Sequence, residues 1–456
     1  MPLLQFRSAD KDLLTRGPIL RALVVLSTPM LVSALLQNLQ SVIDLFWVGR
    51  LGASAVAAVA MSGTILMVLF PMLMGVSLGT VALVARAVGA AHDEDAAAAA
   101  GQSLLLALVL GVFFGLLGWI LTPYLFGLLG AESAVLPDGY AYLRISLAGS
   151  LTSFALFIGN AALQGAGDTL TPMLIMAVAN VLNLVLDPLF IFGLGPLPGL
   201  GVSGAALATV LAQAVGAAIS VFMLLSGRVR IHVRLSHCRP RLGLSWRLLR
   251  LGIPGSGQML SRSLMGLVLM RIVASCGTIA VAAYGTGLRF HMITLMPAFA
   301  LGGAAATMVG QNLGAGNPAR ARHAAWLAAA VEVVFMILAA VFFALLADPL
   351  VRCFTADPQV VVTGAEYLRT VSPFYVFAAL AIVLGRALNG AGDTLAPMVF
   401  TVISLWGVQV PLALHFSATW ASKTQGIWWA IVLATVLHGV LITAWFETGR
   451  WKRARV

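Results

Sequence analysis

The sequence predicts an all-α integral membrane fold of twelve transmembrane helices in two six-helix bundles. The bundles are expected to be related by a pseudo-two-fold axis along the membrane normal. Three observations carry this expectation: a composition too apolar for water, twelve apolar runs of bilayer length, and an internal repeat. Of 456 residues, 60% are hydrophobic, a further 46 are glycine and only 9% are charged. Soluble domains are about 45–50% apolar with glycine included and about 25% charged. This chain lacks the groups to cover a water-facing surface, and disorder, collagen and disulfide scaffolds are excluded as well. A formal charge of +11 would point to nucleic acid in a soluble protein. In a membrane protein it marks cytoplasmic loops and contact with membrane lipid, so no nucleic-acid partner is expected. Cys238, Cys276 and Cys353 are far apart and match no metal spacing, so neither a disulfide framework nor a cysteine metal site is expected. The chain opens on Arg7, Asp10, Lys11, Asp12 and Arg16 without a short apolar stretch before a cleavage site, so no removable signal peptide is expected.

A bilayer core of ~30 Å needs about 20 apolar residues per helix. The first set of spans is 20–48, 54–84, 96–122, 138–164, 170–193 and 201–226. The second is 248–274, 279–311, 322–347, 360–388, 394–416 and 425–448. This gives an N-terminal bundle over 1–226, a basic linker over 227–247 and a C-terminal bundle over 248–456. The linker carries Arg228, Arg230, Arg234, Arg239, Arg241 and Arg247. Six helices return the chain to its starting side, so the linker shares a compartment with both termini. All three are basic, with Arg7, Lys11, Arg16 and Arg21 at the start and Arg450, Lys452, Arg453 and Arg455 at the end. The opposite loops hold little beyond Arg50, Arg352 and Lys423. The bias places both termini in the cytoplasm of a multi-pass plasma-membrane protein, bacterial or archaeal.

The halves are copies. LQGAGDTLTPM begins at Leu163 and LNGAGDTLAPM at Leu388, an offset of 388 − 163 = 225. The same offset carries Pro29 onto Pro254, Gly52 onto Gly277, Gly89 onto Gly314, Pro172 onto Pro397, and Tyr142 and Arg144 onto Tyr367 and Arg369. Farther on the register slips, and LATV at Leu207 meets LATV at Leu433. Copies of six spans insert the same way round, which implies the axis along the normal. Two packed bundles suit alternating access, although a channel could also be built this way. The GAGDT glycines permit a tight turn, and Asp168 and Asp393 are expected to cap the helices that follow rather than to do chemistry.

An ionisable group inside a membrane helix is costly and is functional by default. Asp44, Asp187 and Glu332 are the acids within apolar spans. Gln37, Gln40 and Asp44 are spaced i, i+3, i+7 on the first helix, and Asn180, Asn183 and Asp187 repeat that spacing on the fifth, so each trio shares a face. Ser33 and Ser41 lie beside the first face. Each acid lies ~9 Å from the outer end of its helix. The stripes could meet inside the N-terminal bundle, with Asn160 of the fourth helix joining them. Such oxygens can replace the hydration shell of Na⁺, or two neighbouring carboxylates can hold a proton. Amides alone could be explained as interhelical glue, but two acids without a basic partner could not. The C-terminal copy lacks the cluster: Leu269 and Arg262 stand at the positions of Asp44 and Gln37. Glu366 is expected to pair with Arg369 at i, i+3, and Glu332 has no polar stripe around it. Pro29 removes a backbone bond four turns before Asp44 and is a candidate hinge.

These residues resemble the multidrug and toxic compound extrusion (MATE) transporters over nearly the whole chain. The motifs are PML…VIDLFWVGRLG, NVLNLVLDPLFIFG and GVSGAALAT. The resemblance implies that Asp44 is the first-helix aspartate and Pro29 the bending proline. It also implies that Asn183 and Asp187 are the fifth-helix pair of a cation site and that Thr209 is its sixth-helix threonine. One branch of the family carries acids on helices seven and ten; here helix seven has Arg262 and Arg271 and helix ten has Glu366, so the chain looks more like the DinF-like branch. The implied activity is export of organic cations or amphipathic drugs in exchange for H⁺ or Na⁺. No cofactor is expected beyond that coupling ion, with Na⁺ held at Asp44, Asn183 and Asp187, and a monomer is expected. The cavity is expected to be lined by Met, Phe and small residues. A flippase for a lipid-linked or polysaccharide precursor is the alternative, kept open by the helix-borne Arg144, Arg262, Arg271 and Arg289. The seven scattered histidines argue against a membrane-embedded enzyme, a gradient experiment separates antiport from a channel, and no G-x-x-x-x-G-K-[ST] motif suggests ATP use.

Overall fold

A computed structural model describes residues 13–194 and 197–454. Arg7, Asp10, Lys11, Asp12 and Arg455 lie outside the described residues. The first half contains α1 (Ile19–Gly49), α2 (Ala53–Gly89), α3 (Asp93–Leu128), α4 (Leu136–Ala148), α5 (Ser150–Gly165), α6 (Leu170–Phe192) and α7 (Val202–Leu225). The second contains α8 (Leu242–Ala274), α9 (Thr278–Gly314), α10 (Pro318–Arg352), α11 (Pro358–Val371), α12 (Tyr375–Ala391), α13 (Leu395–Val402), α14 (Val410–Thr419) and α15 (Lys423–Glu447). The expected twelve spans are present. α4 and α5 form one span bent by 43°, a 3₁₀ turn at Ser372–Phe374 joins α11 to α12, and a π-helical stretch at Ile403–Gln409 joins α13 to α14. Two-residue antiparallel strands, β1 (Gly193–Leu194) and β2 (Leu197–Pro198), form a small hairpin after α6. At 33 residues, α8 is about 50 Å long and can cross a bilayer although it carries Arg247, Arg250, Arg262 and Arg271. The outer surface is apolar: Leu116 and Leu338 are each 65% exposed, which lipid accommodates and water would not.

Contacts divide the chain into two compact units. The first runs from Thr28 to Ile253; the second runs from Pro254 onward and includes the described residues up to Ser27. The N-terminal turn belongs to the second unit through hydrogen bonds and burial. Asn312 Nδ2 donates to Leu14 O at 3.0 Å, Arg320 Nη2 donates to Gly17 O at 2.5 Å, and Leu13 and Leu14 are buried. Helix α1 therefore starts in one unit and continues in the other, the change falling directly before Pro29. Helix α8 changes unit at Ile253–Pro254, the repeat partner of the same proline.

The basic stretch 227–247 is held on the first unit largely by one side chain. Gln102 of α3, fully buried, donates through Nε2 to His237 O at 2.7 Å and Arg239 O at 2.6 Å. Its Oε1 accepts from Arg241 N at 3.0 Å and Ser245 Oγ at 3.1 Å. His237 Nε2 lies 2.7 Å from Glu94 Oε2 at the start of α3.

The repeat is legible in the backbone. Gly52 and Gly277 open α2 and α9 with φ of 108° and 102°, and Gly167 and Gly392 turn the two GAGDT segments with φ of 91° and 92°, the left-handed region that favours glycine. The aspartates cap as expected. Asp168 Oδ1 accepts from Thr171 N at 3.0 Å. Asp393 Oδ1 accepts from Ala396 N at 3.4 Å, and its Oδ2 accepts from Trp445 Nε1 at 2.8 Å. One expected pair does not form: Arg369 bonds Asp348 of α10 rather than Glu366. Its guanidinium reaches across to the last turns of α10, where it also meets Ala344 O at 3.4 Å, instead of folding back along its own helix.

The second unit has an aromatic core in which Tyr284, Tyr367 and Trp428 pack with ring centroids 4.9–5.9 Å apart. Backbones approach closely at Gly390 of α12, where an added Cβ would lie 2.2 Å from Ala306 O of α9.

Candidate functional site

Asp44 lies five residues before the end of α1, and Asp187 five before the end of α6. The structure brings them together within the first unit, their carboxyl groups within hydrogen-bonding reach of each other. Asp187 is fully buried and Asp44 half-buried. Asn183, one turn before Asp187, donates through Nδ2 to Asp187 Oδ1 at 3.1 Å and toward Thr209 Oγ1 of α7 at 3.5 Å. Thr209 in turn donates to Ala205 O at 3.1 Å. Four of the residues singled out from sequence, Asp44, Asn183, Asp187 and Thr209, thus form one polar cluster.

The cluster is rich in acceptors and poor in donors. Asp44 Oδ1, Asp187 Oδ2 and Asn183 Oδ1 are buried with no hydrogen-bond partner. A buried acceptor without a donor costs free energy until a proton or cation supplies one. Hard cations take oxygen ligands, so this set fits Na⁺ or a shared proton.

The other expected members are placed less closely. Asn180 and Asn160 are buried, and their side-chain oxygens have no partner, but no hydrogen bond links them to the acids. Gln40 is half-buried one turn before Asp44, also without a bond to the cluster. Pro29 sits within an unbroken α1, its carbonyl accepting from Ser33 Oγ at 2.9 Å. Glu332 is fully buried on α10, and neither carboxyl oxygen has a partner.

The structure adds Tyr142, which sequence reasoning used only to align the repeats. It stands on α4 close enough to feel the charge of both acids, and its hydroxyl reaches Ser146. Its distance from Asp44 and Asp187 along the chain hid it. Toward the end of α1, Trp47 packs edge-on against Phe192 at 6.0 Å, and Arg50 lies over the rings of Phe46 and Trp47 at 4.6 and 5.0 Å. This aromatic and cationic layer covers the final turn beyond Asp44.

The MatE family model matches residues 29–189 and again 254–414, two copies that coincide with the repeat. A probable multidrug resistance protein NorM of Thermotoga maritima is 28% identical over 440 residues, covering 96% of this chain and 94% of that protein. A FAD transporter of Shewanella oneidensis is 31% identical over 432 residues, covering 94% and 95%. A crystal structure of a MATE protein in the bent conformation superposes with a TM-score of 0.90 at 27% identity, covering 97% of this chain and all of that one. With both repeats matched and whole-length similarity to such proteins, the chain belongs to the MatE family of multidrug efflux transporters, membrane proteins that move small molecules and are not enzymes.

Proposed function

We propose that this chain is a secondary antiporter that exports amphipathic cargo in exchange for H⁺ or Na⁺ bound in the first unit. One observation carries the reading: Asp44 and Asp187 share a buried cluster whose oxygens outnumber its donors. In the ion-loaded state a proton or Na⁺ offsets the two carboxylates. In the empty state their repulsion and desolvation favour a different arrangement of α1. Pro29, at the point where α1 changes unit, is the hinge. Asn183 and Thr209 orient the acids; Asn180, Asn160 and Gln40 line the route. Both termini face the cytoplasm, and the chain acts as a monomer in the plasma membrane.

Cargo of the organic-cation type is supported by the multidrug relatives. A second reading, an anionic amphiphile, is supported by the FAD transporter among the relatives and keeps the lipid-linked precursor in view. The test is transport by proteoliposomes under separately imposed H⁺ and Na⁺ gradients. Uphill accumulation of a fluorescent organic cation under one gradient and not the other identifies the coupling ion. Downhill equilibration alone, under both gradients, would mean a passive pathway and refute antiport.

A further inference from the structure

One crevice inside the second unit is lined by the opposite charge. Arg262 of α8 and Arg386 of α12 line one narrow crevice together with Gln258, Asn389 and Phe299. Both arginines lie within transmembrane segments, where a guanidinium without a counter-charge is costly. Neither forms an ion pair among the described residues. Among the described residues, the acids of this unit are engaged elsewhere or stand off. Asp348 pairs with Arg369, Glu447 binds Arg322 and Trp326, and Asp357 and Asp393 cap helices. Glu332 and Glu366 make no ion pair among the described residues. Arg386 has an aromatic neighbour, Phe299, at 5.6 Å, and the Arg262 charge is felt at Arg386. Two like charges therefore line one crevice, with no acid paired to either among the described residues.

The scaffold does not require these arginines. At the repeat offset, Arg262 corresponds to Gln37 and Arg386 to Ala161, so the same fold is built with an amide and a methyl. The crevice also holds an unsatisfied amide: Asn389 is 2% exposed and its Oδ1 has no donor. Beside it, Gln258 is locked by donating to Thr401 Oγ1 at 3.1 Å and Pro397 O at 3.4 Å. A pair of guanidinium forks matches the geometry of a phosphate or carboxylate. An oxyanion would neutralise both charges, and a protonated phosphate oxygen would supply the donor that Asn389 Oδ1 lacks.

We propose that Arg262 and Arg386 form a binding site for the oxyanion group, phosphate or carboxylate, of a cargo molecule or a lipid headgroup. The cargo version rests on the chain being a transporter; the site itself does not.

The test is binding to the purified full-length protein in phosphatidylcholine nanodiscs, using riboflavin 5′-phosphate and riboflavin, two fluorescent probes that differ only in the phosphate. The expected result is that the phosphorylated probe binds at least tenfold more tightly and is displaced by inorganic phosphate. Arg262→Gln and Arg386→Gln should each erase that preference and leave riboflavin binding unchanged. Equal affinity of wild type for the two probes would overturn the proposal, as would a preference that survives in both variants. If a variant fails to fold, the wild type alone decides. Inorganic phosphate should raise its melting temperature where chloride at equal ionic strength does not, and no difference between the salts would overturn the site. Nanodiscs containing phosphatidylglycerol separate the sources. Loss of probe binding there supports a headgroup in the crevice, and unchanged binding supports a soluble cargo. Asp44→Asn should keep the phosphate preference while losing ion-driven transport. A wild type that binds but shows no ion coupling would therefore reject the antiport reading and leave this one standing.

Discussion

Replacing Asp44 by asparagine tests the ion cluster with little change in shape. The amide is isosteric, and α1 keeps its length and packing. What changes is the charge in a pocket where, among the described residues, Asn183 Nδ2 is the donor found on the acids, at 3.1 Å from Asp187 Oδ1. Asp44 Oδ1 is buried without a hydrogen-bond partner among the described residues, so on the proposed reading a coupling ion would offset its charge. Removing one partner of a buried ion pair costs ~3–5 kcal/mol. At about 1.4 kcal/mol per tenfold, ion affinity in Asp44→Asn should fall at least a hundredfold. The fold should not suffer, because a like-charge contact with Asp187 is relieved; the melting temperature in detergent should stay at or above that of wild type. The assay is sodium binding and gradient-driven efflux of a fluorescent cation in proteoliposomes, with protein amount and melting temperature measured alongside. Wild-type efflux from a folded Asp44→Asn protein under both gradients would refute the reasoning. Asp187→Asn should behave alike in transport.

Four further substitutions test the scaffold and the hinge. Gln102→Leu removes four hydrogen bonds and strands the buried His237 carbonyl. At ~1–3 kcal/mol for a buried unsatisfied group, it should destabilise the first unit by about 3 kcal/mol and expose 227–247 to protease; unchanged cleavage would sink the claim that this side chain fixes the stretch. Gly390→Ala forces a methyl to within 2.2 Å of the Ala306 carbonyl and should lower stability by ~1–3 kcal/mol. Gly285→Ala in α9 meets nothing within 4 Å and should be neutral or stabilising; equal melting temperatures for the two variants would contradict the close crossing. Pro29→Ala restores the backbone N–H that proline lacks in α1 and should slow transport at least tenfold with ion binding unchanged. A normal rate would remove the hinge.

The spans, the repeat and the acid pair were legible because each leaves a strong mark. Apolar length marks spans, rare residues at one offset mark copies, and carboxylates within hydrocarbon stand out. The grouping of Asp44, Asn183 and Asp187 follows from polar stripes on two helices that the bundle must turn inward, whereas Thr209 was legible only through the family resemblance. Tyr142 was not legible, since a tyrosine on an apolar helix resembles packing until its neighbours are known. The role of Gln102 was hidden too, because its partners are backbone atoms of residues 135–139 positions away. The Glu366–Arg369 expectation failed for a related reason: spacing on one helix offered a partner, but a neighbouring helix offered Asp348. The crossing of α1 from one unit to the other is set by the N-terminal turn docking on Asn312 and Arg320, and hydropathy carries no signal for it.

The divergence of the copies is structural as well as chemical. At the repeat offset, the α6 stripe Asn180, Asn183 and Asp187 corresponds to Leu405, Val408 and Leu412. Leu405 and Val408 fall in the π-helical stretch Ile403–Gln409. A π turn absorbs an added residue without ending the helix, and this stretch lies in the interval where the register of the copies slips, from 225 to the spacing of LATV at Leu207 and Leu433. Residues beyond a π turn are rotated relative to an uninterrupted α-helix. Leu412→Asp would therefore present its carboxyl on a different face from Asp187 and should not create a second ion cluster. In hydrocarbon, a costly ionisable side chain implies a ligand that offsets it. One copy retains acids with too few donors and the other retains arginines with no acid, so the two interiors are suited to ligands of opposite charge.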